Sequence, residues 1–134
     1  MFGTTELSDL PDFYEYTQSA SREDTILIYN DVSVFICSTL WEGFGLTGLE
    51  AMACGAALCT TDFEGSREYA VHNKNALVSE PKDVKAMVSN VSSLFEDDQK
   101  RTRLAYQGAK EAKTHNWEAA VERFLAMLKN GTVE

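Results

Sequence analysis

The stretch from Trp41 to Gly55 constrains the fold of this chain more than any other, because it joins a buried strand to an apolar helix through a glycine-rich turn. The run Val32 to Cys37 before it is β-branched and apolar on both faces, as a strand covered by helices on each side must be. A helix begins near Leu46 and stops at Gly55, which is placed as a left-handed C-terminal cap residue would be. Between strand and helix, Gly43 and Gly45 permit backbone angles and close approaches that a β-carbon would obstruct. The amides of Gly43 through Thr47, those of Phe44 and Leu46 included, are therefore expected to converge on one spot suited to an anion. Glu42 and Glu50 bracket the turn. Two carboxylates repel a bare phosphate yet accept hydrogen bonds from hydroxyls attached to it, so the implied ligand is a diphosphate carrying polyols at both ends. Both glutamates are expected to line one cleft at the carboxyl ends of the strands, where open α/β sheets bind ligands.

The rest of the chain supplies scaffold. Phe2-Gly3 looks like the end of a strand, followed by a polar loop through Asp12 that is broken at Pro11. The alternating run Phe13 to Tyr16 predicts a strand, and Ser21 with Asp24 three residues on predicts a capped helix. Ala56 to Thr61 and Ala76 to Val78 predict two further strands, with a short helix from Ser66 to His72 between them. Strand-helix units in succession give an α/β class with a parallel sheet of about four strands in a partial Rossmann-like, three-layer domain. After Pro81 the pattern is helical only: Val84 to Phe95, a basic amphipathic segment from Gln99 to Lys113, and a last helix marked by Trp117, Val121, Phe124, Leu125 and Leu128. The tail past Lys129 is expected to fray. Residues 1–12 thus form a loop region, 13–80 the strand-helix units and 81–130 the C-terminal helices of one domain.

A chain of 134 residues holds one modest domain. Its formal net charge of -9 argues against a nucleic-acid surface, which needs a clustered basic footprint. No apolar run approaches a membrane span and no secretory leader is visible, so a cytoplasmic chain is expected, peripheral at the membrane in a full-length protein. Cys37, Cys54 and Cys59 lack paired spacing and read as reduced core thiols, and the sequons at Asn90 and Asn130 mean nothing without secretion. His72 and His115 have no ligand-spaced neighbours and read as solvated or core histidines, and no metal is implied. Lys100, Arg101 and Arg103 read as a solvated helix face, and Arg67 as an ion-pair residue rather than a phosphate clamp.

The residues from Glu42 to Gly55 resemble the donor-binding motif of the retaining GT-B glycosyltransferases of family 4: a glutamate, seven residues, then a second glutamate, within Glu-Gly-Phe-Gly-Leu followed by Leu-Glu-Ala-Met-Ala-Cys-Gly. The resemblance continues through Ala57 to Asp62, Gly65 to Tyr69 and Asn75 to Val78. It implies that Glu42 contacts the hydroxyls of the donor sugar as the catalytic-site glutamate, that the loop amides of Gly43, Phe44, Gly45, Leu46 and Thr47 meet sugar and diphosphate, and that Glu50 holds the nucleotide ribose. Thr47 stands where a proline is common, and keeps an amide that proline lacks. The implied partners are a nucleoside diphosphate sugar and, through a lobe this chain does not contain, a glycan or lipid-linked acceptor; the motif requires no metal or cofactor. The chain then reads as the C-terminal part of a donor lobe, without the basic Arg and Lys pair that such lobes add, and inactive alone. The alternative is a non-catalytic remnant or interaction module. The family's strand order of 3-2-1-4-5-6 would make Phe13 to Tyr16 strand three and Val32 to Cys37 an edge. That edge is expected either to pair with Phe13 to Tyr16 or to associate with a second copy.

Overall fold

The structure, a computed structural model, describes residues 1–130. Its centre is a parallel three-stranded sheet in the order β3 (Val34–Cys37), β4 (Ala57–Thr61), β5 (Ala76–Ser79). Val34 aligns with Ala57 and Leu58 with Ala76. Every residue of β4 is buried because both faces of the sheet are covered. On one face Leu58 and Ala76 pack with Leu49 and Met52 of α2 (Leu46–Ala53). On the other, Ala57, Cys59 and Leu77 pack with Leu94 of α3 (Val84–Glu96) and Leu104 of α4 (Asp98–Ala112). Each large apolar side chain so buried contributes about 1.5–3 kcal/mol. The parallel, layered α/β class expected from the sequence is the one observed.

The N-terminal quarter differs in detail. Phe13 to Tyr16 is not a strand: Tyr14 N donates to Pro11 O at 2.9 Å in a turn, and the Phe13 ring stacks on Tyr14 in solvent. Pro11 closes that turn, which pushes the extended backbone downstream to β2 (Thr17–Gln18). β2 pairs in parallel with β1 (Phe2–Gly3), so five strands form two sheets rather than about four forming one. The helix α1 (Arg22–Asp31) follows, and its capping box is present: Asp24 N donates to Ser21 Oγ, and Ser21 N to Asp24 Oδ2, both at 3.1 Å. Tyr29 of α1 lies edge-on to Phe2 at 5.6 Å and to Phe35 at 5.4 Å, so one buried ring bridges the two sheets.

Between those sheets runs a groove of about 480 Å³, lined by Met1, Phe2, Ile28, Val32, the length of β3 and Thr47. No described strand pairs with this side of β3, and Ile36 is half exposed there. The expected pairing of Phe13 to Tyr16 with β3 does not occur, because the segment continues instead to β1.

The helix expected over Ser66 to His72 is only a 3-10 turn, Gly65–Glu68. Asn75 cuts it short: its side-chain amide donates to Tyr69 O at 2.9 Å and its oxygen accepts from Val71 N at 2.7 Å. The basic residues of α4 do more than face solvent. Lys100 Nζ reaches Ser93 Oγ at 2.8 Å, Arg101 caps Leu94 O at 2.7 Å, and Arg103 donates to Asn73 O at 3.1 Å. The short Asp97 linker folds α4 back along α3 and brings these side chains to the neighbouring carbonyls. The last helix, α5 (Trp117–Asn130), presents Trp117, Val121, Phe124 and Leu128 to solvent; the remainder of the expected frayed tail lies outside the described residues.

Candidate functional site

The glycine turn sits at the carboxyl end of β3 and opens α2. Gly45 is the residue before the helix and has φ 81, ψ 56 with no side-chain cap. A β-carbon there would overlap the Phe63 ring and approach the Tyr69 hydroxyl to 2.9 Å. Gly48 is equally close to that hydroxyl, at 2.7 Å from where its β-carbon would stand. Tyr69 is the prop of the turn: buried, it donates to Gly45 O at 2.8 Å, and burial pushes its phenol well above its ordinary pKa. Phe44 packs on Tyr69 and His115, with ring centroids at 5.4 and 5.9 Å. Gly48 N turns back to Gly45 O at 3.1 Å, and helix geometry leaves the amides of Leu46 and Thr47 without intrahelical acceptors.

Gly43 behaves differently. It lacks a positive φ, and a β-carbon on it would meet nothing within 4 Å. Neither backbone angle nor internal packing requires glycine there. Its carbonyl is crossed by Gly65, where any β-carbon would overlap the Gly43 oxygen, so the two loops are in direct backbone contact.

Glu42 pairs with Glu64 in an isolated parallel bridge. Both line a cleft of about 440 Å³ with Trp41, Asp62, Phe63, Arg67, Glu80 and Lys82 among its walls. Arg67 forms a fork to Asp62 at 2.7 and 2.9 Å, which holds the Asp62 carboxyl below its usual range, in line with the ion-pair role expected of it. Glu50, one turn into α2, is not among the residues lining that cleft, so the expectation that both glutamates line one cleft is not met: the start of α2 carries Glu50 to the α1 side, where Tyr29 is its partner. Its Oε2 accepts from the Tyr29 hydroxyl at 3.2 Å, and Thr47 beside it faces the groove along β3. The structure thus joins Glu42 to the Phe63–Arg67 loop and Glu50 to α1, with the free amides of Leu46 and Thr47 between them in the chain.

Two contributors were not singled out in the sequence. Tyr29 belongs to no motif in the sequence, and Tyr69 only closes the matched run from Gly65. Buried tyrosines need a partner for their hydroxyl, and that need was the one signal available. His72 Nδ1 accepts from Val78 N at 3.0 Å, His115 is packed rather than solvated, and the three cysteines are free. Among the described residues no helix is long and apolar enough to cross a membrane.

Residues 5–111 match the family model described as Glycosyl transferases group 1. The chain belongs to the glycosyl transferases group 1 family. A relative in Campylobacter jejuni, N,N'-diacetylbacillosaminyl-diphospho-undecaprenol alpha-1,3-N-acetylgalactosaminyltransferase, is 29% identical over 107 residues, which are 80% of this chain and 28% of the relative. Sucrose-phosphate synthase from Thermosynechococcus elongatus superposes with a TM-score of 0.75 at 21% identity, covering 88% of this chain and 31% of that one. HepE of Anabaena, solved in complex with UDP and glucose, superposes at 0.71 with 20% identity, covering 87% and 32%. The glycosyl transferases group 1 chain described here therefore spans less than a third of these proteins. Within the match lie the glycine turn, both glutamates, Tyr29 and Tyr69; α5 lies beyond it.

Proposed function

We propose that this chain is the donor-binding part of a retaining, family 4 glycosyltransferase, taking a sugar from a nucleoside diphosphate sugar to a hydroxyl acceptor in polysaccharide or glycoconjugate synthesis. The observation that carries the reading is the start of α2, where two amides without intrahelical partners stand between Glu42 and Glu50 in a family member. The helix-start amides of Leu46 and Thr47, with those of Gly43, Phe44 and Gly45, stabilise the diphosphate as negative charge builds on it. Glu42 is the catalytic-site carboxylate that accepts hydrogen bonds from the donor sugar. Glu50, held by Tyr29, accepts them from the ribose. Gly43, open on the side where a β-carbon would project, leaves room for the ligand to approach the backbone. No metal or cofactor has a role in this reading.

The acceptor, a glycan or a lipid-linked sugar, is met by parts of the protein outside this chain, and the chain by itself binds donor without turnover. The UDP named with HepE and the N-acetylgalactosaminyl transfer named for the Campylobacter relative suggest the probes. Saturation-transfer NMR against UDP-glucose, UDP-N-acetylgalactosamine, UDP and ATP tests the reading. Transfer to ribose and sugar protons of a nucleoside diphosphate sugar, with none to ATP, is expected. Equal transfer to all four, or to none, contradicts it.

A second reading, an interaction module that pairs with another chain, is favoured by the unpaired side of β3 and its half-exposed Ile36. Association of two copies across that edge is compatible with donor binding.

A further inference from the structure

We propose that Glu64 is a positioning residue for Glu42, acting through its backbone: it carries a strained turn that clasps the glycine loop. The inference rests on the donor reading and goes beyond it in naming what holds Glu42 and Gly43 in place. Glu64 has φ 62 and ψ -63, and across it Gly65 N donates to Phe63 O at 2.7 Å. Those values describe a γ-turn of positive φ, the rare and strained form for a residue with a β-carbon. Strain of this kind persists only where the surroundings hold it. At one end Asp62 N donates to Ser79 O at 2.9 Å, and at the other Arg67 N donates to Glu64 O at 3.0 Å and Ser66 Oγ to Thr61 O at 3.2 Å. The Arg67 fork to Asp62 closes the base of the loop.

What the strain secures is contact by consecutive residues with one turn. The Phe63 ring fills the space where a Gly45 β-carbon would stand, Glu64 bridges to Glu42, and Gly65 lies on the Gly43 carbonyl. Neighbouring residues of an extended segment point to opposite sides, so an unstrained chain would not make all of these contacts. Relaxing Glu64 to a negative φ would turn the peptide planes beside it, break the bond from Gly65 to Phe63 and lift Gly65 off Gly43. Tyr69 would still hold Gly45 O, so the amides of Leu46 and Thr47 would stay in place. The turn is therefore coupled to Glu42, and so to the sugar end of the ligand, more than to the amides that meet the diphosphate.

The test replaces Glu64 by residues that all lack the carboxylate and differ in their tolerance of positive φ: Glu64→Gly, Glu64→Ala and Glu64→Val. Affinities of this chain for UDP-glucose and UDP are measured by calorimetry, with melting curves and the amide NMR signals of Gly43 and Gly65. Glu64→Gly should bind UDP-glucose as tightly as wild type or tighter, and melt roughly 5–10 °C above Glu64→Val. Glu64→Val should displace the Gly43 signal and weaken UDP-glucose about ten-fold, with UDP changed by less than about two-fold. Should Glu64→Val not fold, Arg67→Lys opens the exposed base of the loop instead: it should weaken UDP-glucose several-fold, and Glu64→Gly in the same chain should restore it. Loss without that rescue overturns the proposal. So does equal UDP-glucose affinity in Glu64→Gly and a folded Glu64→Val, with the donor reading intact, and so does an equal loss in all the Glu64 variants, which assigns the effect to the carboxylate. If wild type binds neither UDP-glucose nor UDP, the donor reading fails and the spectra decide. A Gly43 signal displaced in Glu64→Val or Arg67→Lys and kept in Glu64→Gly upholds the clasp; an undisplaced one overturns it.

Discussion

The hydroxyl of Tyr29 donates to Glu50 Oε2 at 3.2 Å, linking α1 to the first turns of α2. The ring behind that hydroxyl is locked between Phe2 and Phe35. An exposed carboxylate is thereby oriented from a rigid, buried anchor, which is what a ribose-binding acceptor needs in order to pay little ordering entropy. Tyr29→Phe keeps the ring and removes the bond. It should lower stability to urea by about 1 kcal/mol and weaken nucleoside diphosphate binding several-fold. Full affinity in the variant would show that Glu50 needs no anchor.

Three glycines separate fold from site. Gly45→Ala and Gly65→Ala each place a β-carbon on occupied space, Gly45 at a positive φ as well, so each should cost about 1–3 kcal/mol or more and shift the turn. Gly43→Ala meets nothing within 4 Å and should leave stability within about 0.5 kcal/mol of wild type. If ligand approaches the backbone there, the same variant loses donor binding. Calorimetric melts with and without UDP-glucose distinguish the cases. Loss of stability in Gly43→Ala would place that residue in the scaffold instead.

Alkaline pH should destabilise the fold. Burial raises the phenols of Tyr29 and Tyr69 from 10.0 and pushes the Cys59 thiol from 9.0 up to about 11. Groups whose folded values are raised contribute stability that is complete below their unfolded values and is lost as pH climbs through the folded ones. Stability should therefore hold to roughly pH 9 and then fall by on the order of 1 kcal/mol per pH unit for each titrating group. Urea unfolding at stepped pH checks this, and Tyr69→Phe should reduce the slope above about pH 10. A flat profile to pH 11 would contradict the burial of these groups.

The open side of β3 predicts association. A groove of about 480 Å³ along an unpaired strand, with Ile36 half exposed, is an edge of the kind that recruits another strand. Light scattering should find dimers at micromolar concentration, and Ile36→Lys should return the chain to monomer without unfolding it. A monomer at all concentrations would show the edge to be self-sufficient.

Much of this architecture is legible in the sequence because it depends on short-range patterns. The apolar run of β3, the capping box at Ser21, the left-handed Gly55 with φ 88 and the helical periodicity after Pro81 each act within a few residues. What escaped depends on partners outside the run being read. Phe13 to Tyr16 has a strand's alternation, yet Pro11 makes a turn and β1 recruits the residues after it. Ser66 to His72 has helical composition, yet Asn75 claims the backbone at Tyr69 and Val71. Lys100, Arg101 and Arg103 read as solvated charge until α4 folds back on α3. At the candidate site the glycines and glutamates declare themselves, whereas the hydroxyls of Tyr29 and Tyr69 that brace them act across 21 and 24 residues of sequence.

The most direct test of the central claim is the stabilisation of this chain by a nucleoside diphosphate sugar with and without Glu50. With free UDP-glucose at ten times its dissociation constant, binding to the native state should add about 1.4 kcal/mol to unfolding in urea. Glu50→Ala, measured at the same ligand concentration and compared with its own ligand-free curve, should lose that increment while keeping a cooperative transition. An increment of the same size in Glu50→Ala, or none in the wild type with any nucleoside diphosphate sugar, would contradict the assignment of this turn as a donor site.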